Sequence, residues 1–245
     1  MRVVPTIAVA IVMLVAATGC SLFDKSVDVL YIGDSIMVQT APFAELALVT
    51  EPGVDSAKTR VEAVSGTGLL TPGLKDWMSE ADELVNTYKP KIVVVLFIGN
   101  YTDEDLWIDD AGQPVPNDYG PTFFAEWGAE AEAFSAELAA KGARVDWVLP
   151  PPLAGDEGIR RSEAMRAAYE ELQGRVPSIG LIDGKAAVAG PDGEWTWRRE
   201  GVNGGEVTVR LGDSVHLTDD GGRLMAREIA RTVGPQLISI RAQAA

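Results

Sequence analysis

Residues Lys91-Ile92-Val93-Val94-Val95-Leu96-Phe97-Ile98 form one apolar run, unbroken after its first residue. A strand with one solvated face alternates apolar and polar residues. A continuous run instead marks a strand covered on both faces, which is the habit of parallel sheets packed between helices. Two shorter runs behave alike: Val27 to Ile32 stops at Gly33-Asp34, and Arg60 to Val64 stops at Ser65-Gly66-Thr67-Gly68. Arg144 to Leu149, halted by Pro150-Pro151-Pro152, and Gly180 to Asp183 read as two more strands.

Helical spacing fills the gaps. It predicts helices over Ser35 to Val49, around Leu74 to Val85, over Phe123 to Leu138 with a stop near Gly142, and over Arg160 to Gln173. A last helix is expected from about Asp219 to Val233, with Thr218 as N-cap. Glu194 to Arg198 and Glu206 to Leu211 alternate across Gly201-Val202-Asn203-Gly204-Gly205, a hairpin signal near 194–211. Strands alternating with helices give an α/β fold with a mainly parallel sheet. Ligands of such sheets bind at the carboxyl ends of the strands. Gly33-Asp34-Ser35, Gly66 and Gly99-Asn100 each follow a predicted strand, so they should share that edge.

The N-terminus stands apart. Ile7 to Ala17 is apolar and preceded by Arg2 alone, too short for a span of about 20 residues but suited to a secretory core. It ends at Ala17-Thr18-Gly19-Cys20, which resembles a bacterial lipobox, with Cys20 as the lipidated residue. Residues 1–19 are expected to be a lipoprotein signal peptide, 20–27 a short tether, and 28–240 the folded domain. The predicted location is extracytoplasmic, with the lipid on Cys20 as membrane partner. Cys20 is the one cysteine, so no internal disulfide can form. A net charge of −15 argues against nucleic acid or anionic headgroups as partners.

His216 is the one histidine, and Asp213 precedes it by three residues. A serine hydroxyl needs a base to become a nucleophile. Ser35 could attack an acyl ester, His216 could take and return the proton, and Asp213 could orient the imidazole. The oxyanion then needs donors, which the Ser35 and Gly66 N–H groups and the Asn100 amide could supply. Each feature alone has a plain structural explanation, as a helix cap, a turn glycine or a turn pair. Their conjunction at the strand ends and before the last helix is what points to chemistry.

Together these residues resemble the SGNH hydrolases, or GDSL-type esterases and lipases. Gly33-Asp34-Ser35, Gly66, Asn100 and Asp213-x-x-His216 match four family blocks over essentially the whole mature chain. The resemblance implies a flavodoxin-like three-layer α/β/α sandwich and a Ser35–His216–Asp213 triad. It also implies an oxyanion hole of Ser35, Gly66 and Asn100, with no cofactor. The chain departs from the pattern at Ile36, where leucine is common, and at Ile98 and Tyr101 in the third block, where glycine and aspartate are usual.

Other classes lose their signatures. No serine sits in Gly-x-Ser-x-Gly, no phosphate-binding loop is present, and one histidine excludes a zinc site built on two. Asp103, Glu104, Asp105, Asp109 and Asp110 lack calcium-loop spacing and read as a solvated loop. Trp195 and Trp197 could line a sugar site, but packing of the hairpin onto the core is the expected role. The expectation is a metal-free serine esterase acting on short acyl esters, with an acylated envelope glycan as preferred substrate. An acyltransferase using the same triad and a non-catalytic envelope-binding lipoprotein stay open. The sequence sets no oligomeric state.

Overall fold

The computed structural model describes residues 25–99, 101, 108 and 112–244. The expected signal peptide with Cys20, the acidic positions from Asp103 to Asp110, and Asn100 lie outside the described residues. In chain order the elements are β1 (Val29–Gly33), α1 (Ser35–Thr40), α2 (Ala44–Val49), β2 (Thr59–Ala63), α3 (Trp77–Tyr88), β3 (Ile92–Leu96) and α4 (Pro121–Ala139). There follow β4 (Arg144–Leu149), α5 (Gly155–Arg175), β5 (Gly180–Asp183), α6 (Gly184–Val188), β6 (Arg198–Glu200), β7 (Glu206–Thr208) and α7 (Asp219–Ala244).

The first five strands pair in parallel in the order β2-β1-β3-β4-β5. This is the doubly wound flavodoxin-like order. Every residue of β1 and β3 is buried, as the continuous apolar runs require. Successive side chains face opposite layers. Leu30 and Ile32 join the core under α3, α4 and α5, where Trp127 and Tyr169 stack at 4.9 Å. Val29 and Tyr31 join the core under α1, α2, α6 and α7. The result is the three-layer α/β/α sandwich.

The boundaries differ from expectation where proline or packing outweighs periodicity. The expected helix over Ser35 to Val49 is broken into α1, a 3₁₀ turn at Ala41–Phe43, and α2. Pro42 has no N–H to donate to the preceding turn, and the α-helix breaks there. The last helix passes Val233 and continues through Pro235 to Ala244. Leu237, beyond the proline, is fully buried, and its packing holds the helix together there. The paired part of the hairpin is shorter than predicted, with Arg198, Arg199 and Glu200 opposite Thr208, Val207 and Glu206. Trp195 and Trp197 belong to neither core. Their expected role in packing the hairpin onto the core is therefore not what the fold uses.

Strand β1 lies between β2 and β3, so the chain turns to opposite sides beyond its carboxyl end. That crevice is where doubly wound folds hold ligands. Ser35 follows β1 directly, and Val64 N–H donates to Gly33 O at 2.9 Å, which lays the segment leading to Gly66 beside it.

Candidate active site

The Ser35 side of the site is built from backbone. A Cβ on Gly33 would fall 2.3 Å from Leu96 O, so only glycine lets β1 and β3 close together here. Asp34 is fully buried at the start of α1. Its Oδ1 accepts from Ile36 N–H at 2.9 Å and its Oδ2 from Ile98 N–H at 2.6 Å. One carboxyl thus caps α1 and pins the end of β3. Burial pushes it up to about 7, against the amides and His216, which hold it down. Ser35 is 6% exposed, and its Oγ lies 2.9 Å from His216 Nε2.

The His216 side is a tight loop between the hairpin and α7. His216 Nδ1 lies 2.7 Å from Asp213 Oδ2, while Asp213 Oδ1 accepts from Val215 N–H at 3.0 Å and His216 N–H at 2.9 Å. The hydrogen bond from the His216 ring, then those two amides, pull the Asp213 carboxyl down to about 2. An ionised carboxylate can only accept, so Nδ1 carries the ring proton and Nε2 is left to accept from the Ser35 hydroxyl. Sequence reasoning named all three residues, and the fold brings them into one hydrogen-bonded line from positions 181 residues apart.

That loop is braced by side chains. Ser214 sits at φ 67°, a strained conformation for a non-glycine residue. Trp195 Nε1–H donates to Ser214 O at 2.9 Å. Arg210, 1% exposed, donates to Val215 O at 2.7 Å and to Pro152 O at 2.8 Å, tying the loop to the segment after β4. Burial brings the Arg210 guanidinium down to about 10, which leaves it charged at neutral pH. Leu217 N–H donates to Gln39 Oε1 at 2.8 Å. Gln39 lies on α1, so the helix that begins with Ser35 also anchors the chain next to His216.

Gly66 has φ 81°, and a Cβ there would meet nothing within 4 Å. Glycine is required for its backbone conformation rather than for space. Among the described residues, no acceptor takes the N–H of Ser35 or of Gly66. An N–H left open at a strand end beside a serine hydroxyl could receive an oxyanion. The third expected donor, Asn100, lies outside the described residues, but its neighbours are fixed. Gly99 O accepts from Tyr119 Oη–H at 2.8 Å and from Arg161 at 3.1 Å. Tyr101 turns into the core, where its Oη accepts from Trp127 Nε1–H at 2.9 Å. The departure from aspartate at this position thus replaces a polar group with a packed ring. Among the described residues no cluster of three acidic, cysteine or histidine side chains could hold a metal ion.

A family described as "Protein of unknown function (DUF459)" matches residues 28–232. The chain belongs to this family. No curated protein matches it. Solved structures share its fold at low identity. A catalytic mutant of an acetylxylan esterase from Geobacillus stearothermophilus has a TM-score of 0.58 at 15% identity, over 84% of this chain and 93% of its own. A protein described as a lipolytic member of the G-D-S-L family, from Desulfitobacterium hafniense DCB-2, has 0.54 at 15%, over 83% and 97%. The psychrotrophic esterase EstA from Pseudoalteromonas sp. has 0.53 at 14%, over 86% and 98%. This DUF459 member therefore has the fold of the GDSL-type esterases.

Sequence reasoning missed the braces. Arg210 falls between Val209 and Leu211 in an alternating stretch, where a charged residue reads as solvent-facing. Its partners are carbonyls, which leave no trace in the sequence. Gln39 and the tie from Trp195 to Ser214 are equally silent. Asp34 was visible only as part of Gly-Asp-Ser.

Proposed function

We propose that this chain is a serine ester hydrolase working through Ser35, His216 and Asp213. The observation that carries the reading is the continuous line Ser35 Oγ, His216 Nε2 and Nδ1, Asp213 Oδ2, with contacts of 2.9 and 2.7 Å. Ser35 Oγ bonds to the ester carbonyl carbon while its proton passes to His216 Nε2. The carbonyl oxygen becomes an oxyanion, received by the Ser35 and Gly66 N–H groups, with Asn100 as the third donor by resemblance. The tetrahedral intermediate collapses, the bond to the alcohol oxygen breaks, and that oxygen takes the proton from Nε2. Water then attacks the acyl-enzyme with His216 as base, releasing the acid and restoring Ser35. Asp213 fixes the ring orientation and stabilises the imidazolium.

The substrate we favour is a short acyl ester on a cell-envelope glycan, and the acetylxylan esterase among the fold neighbours supports it. The lipobox-like segment ending at Cys20 supports a lipid-anchored, extracytoplasmic location. The test is hydrolysis of p-nitrophenyl acetate by the full chain beside Ser35→Ala and His216→Ala. Turnover lost in both variants is expected. A wild type no faster than the variants would overturn the hydrolase reading.

A further inference from the structure

We infer that Trp195 and Trp197 form a subsite for the sugar ring whose hydroxyl carries the ester. The inference rests on the proposed hydrolase reading and extends it to the alcohol half of the substrate. The two indoles meet edge to face, with centroids 4.8 Å apart and planes at 76°. Trp197 is 42% exposed, although most large apolar side chains of this domain are buried. A lone exposed ring needs no explanation. This one differs because its partner, Trp195, is bonded at 2.9 Å to Ser214 O, inside the loop that carries Asp213 and His216.

The direction of the chemistry decides which half of the ester lies there. His216 Nε2 must protonate the leaving oxygen, so the alcohol departs on the histidine side of Ser35. In the proposed reaction the carbonyl oxygen is received instead by the open amides of Ser35 and Gly66. A platform fastened to the histidine loop therefore belongs to the alcohol.

The character of the platform decides what alcohol it suits. It is held in place, since Val209 N–H donates to Trp197 O at 2.9 Å and Thr196 Oγ–H to Arg198 O at 2.9 Å. Two ion pairs flank it, Arg198 with Glu206 at 3.0 Å and Lys185 with Glu194 at 4.0 Å. A half-open indole with a polar, charge-balanced rim does not enclose an alkyl chain. It suits a neutral ring with an apolar face and hydroxyls at its edge, which is a pyranose.

The experiment compares the full chain with Trp197→Ala on two acetate esters, a monoacetylated methyl glucopyranoside and ethyl acetate, by pH-stat titration. The expected result is that the kcat/KM ratio of sugar ester to ethyl acetate falls about 10-fold in Trp197→Ala, mainly through KM. An unchanged ratio overturns the subsite while ethyl acetate turnover leaves the hydrolase reading standing. If wild type hydrolyses neither ester, the hydrolase reading falls and the subsite falls with it.

Discussion

The two halves of the proposed active site are held by different means. Ser35 emerges from a fully buried strand, and Asp34 beside it is fastened to main-chain amides from both α1 and the end of β3. Asp213 and His216 sit on a surface loop, with side chains 51% and 35% exposed. That loop is held by Arg210 at its own edge and by Trp195 and Gln39, reaching in from two other parts of the chain. Ser35 is thus as firmly held as the sheet, whereas His216 is as well placed as its braces. Damage to the Asp34 scaffold of the first half should appear as lost folding. Damage to the second should appear as lost activity in a folded protein.

The largest expected effect is on turnover. Ser35→Ala and His216→Ala should each lose about 10³-fold or more in ester hydrolysis while urea midpoints barely move, because neither change empties the core. Asp34→Ala sharpens the contrast from the other side. It strips the Ile36 and Ile98 amides of their buried acceptor, at about 1–3 kcal/mol each, so equilibrium unfolding should show a much lowered midpoint. Arg210→Lys keeps a charge but cannot span two carbonyls with a planar fork. It should lower kcat about 10-fold with roughly 1 kcal/mol lost in stability, the reverse weighting to Asp34→Ala. Trp195→Phe keeps a ring and removes one hydrogen bond of about 0.5–1.5 kcal/mol. It should slow turnover by about 2–10-fold in an otherwise native domain. If Arg210→Lys instead unfolded the chain and Asp34→Ala did not, the division between the halves would be reversed.

The smallest effect is the stability carried by Asp213. Its folded value, about 2, lies below its ordinary 3.8. Its contribution is therefore present above about 3.8 and lost as pH falls through about 2. The gap in urea midpoint between wild type and Asp213→Asn should be open at pH 6 and nearly closed at pH 2. A gap of constant size would mean that the carboxylate does not owe its depression to His216 and the two amides.

The same division explains what the sequence reveals. The sheet was legible because strands covered on both faces must be apolar throughout, as Ile92 to Leu96 is. Ser35, Asp213 and His216 were legible because strand ends and a lone histidine leave few positions for such chemistry. The ends of helices were less so. Pro42 broke a helix that Phe43, Leu46 and Leu48 suggested, and Pro235 failed to end one because Leu237 is buried beyond it. The braces were not legible at all, since Arg210 and Trp195 bind carbonyl oxygens that every residue possesses. Tyr101 shows the limit of matching motifs, because only the packing against Trp127 reveals why aspartate is replaced there.

The central claim is that Ser35 is a nucleophile activated by His216. Its most direct test treats the full chain with a fluorophosphonate probe, followed by peptide mass spectrometry, beside His216→Ala. The account predicts a single phosphonylated residue, Ser35, in wild type, with labelling largely lost in His216→Ala. Labelling at another residue, or none in a folded wild type, would contradict it.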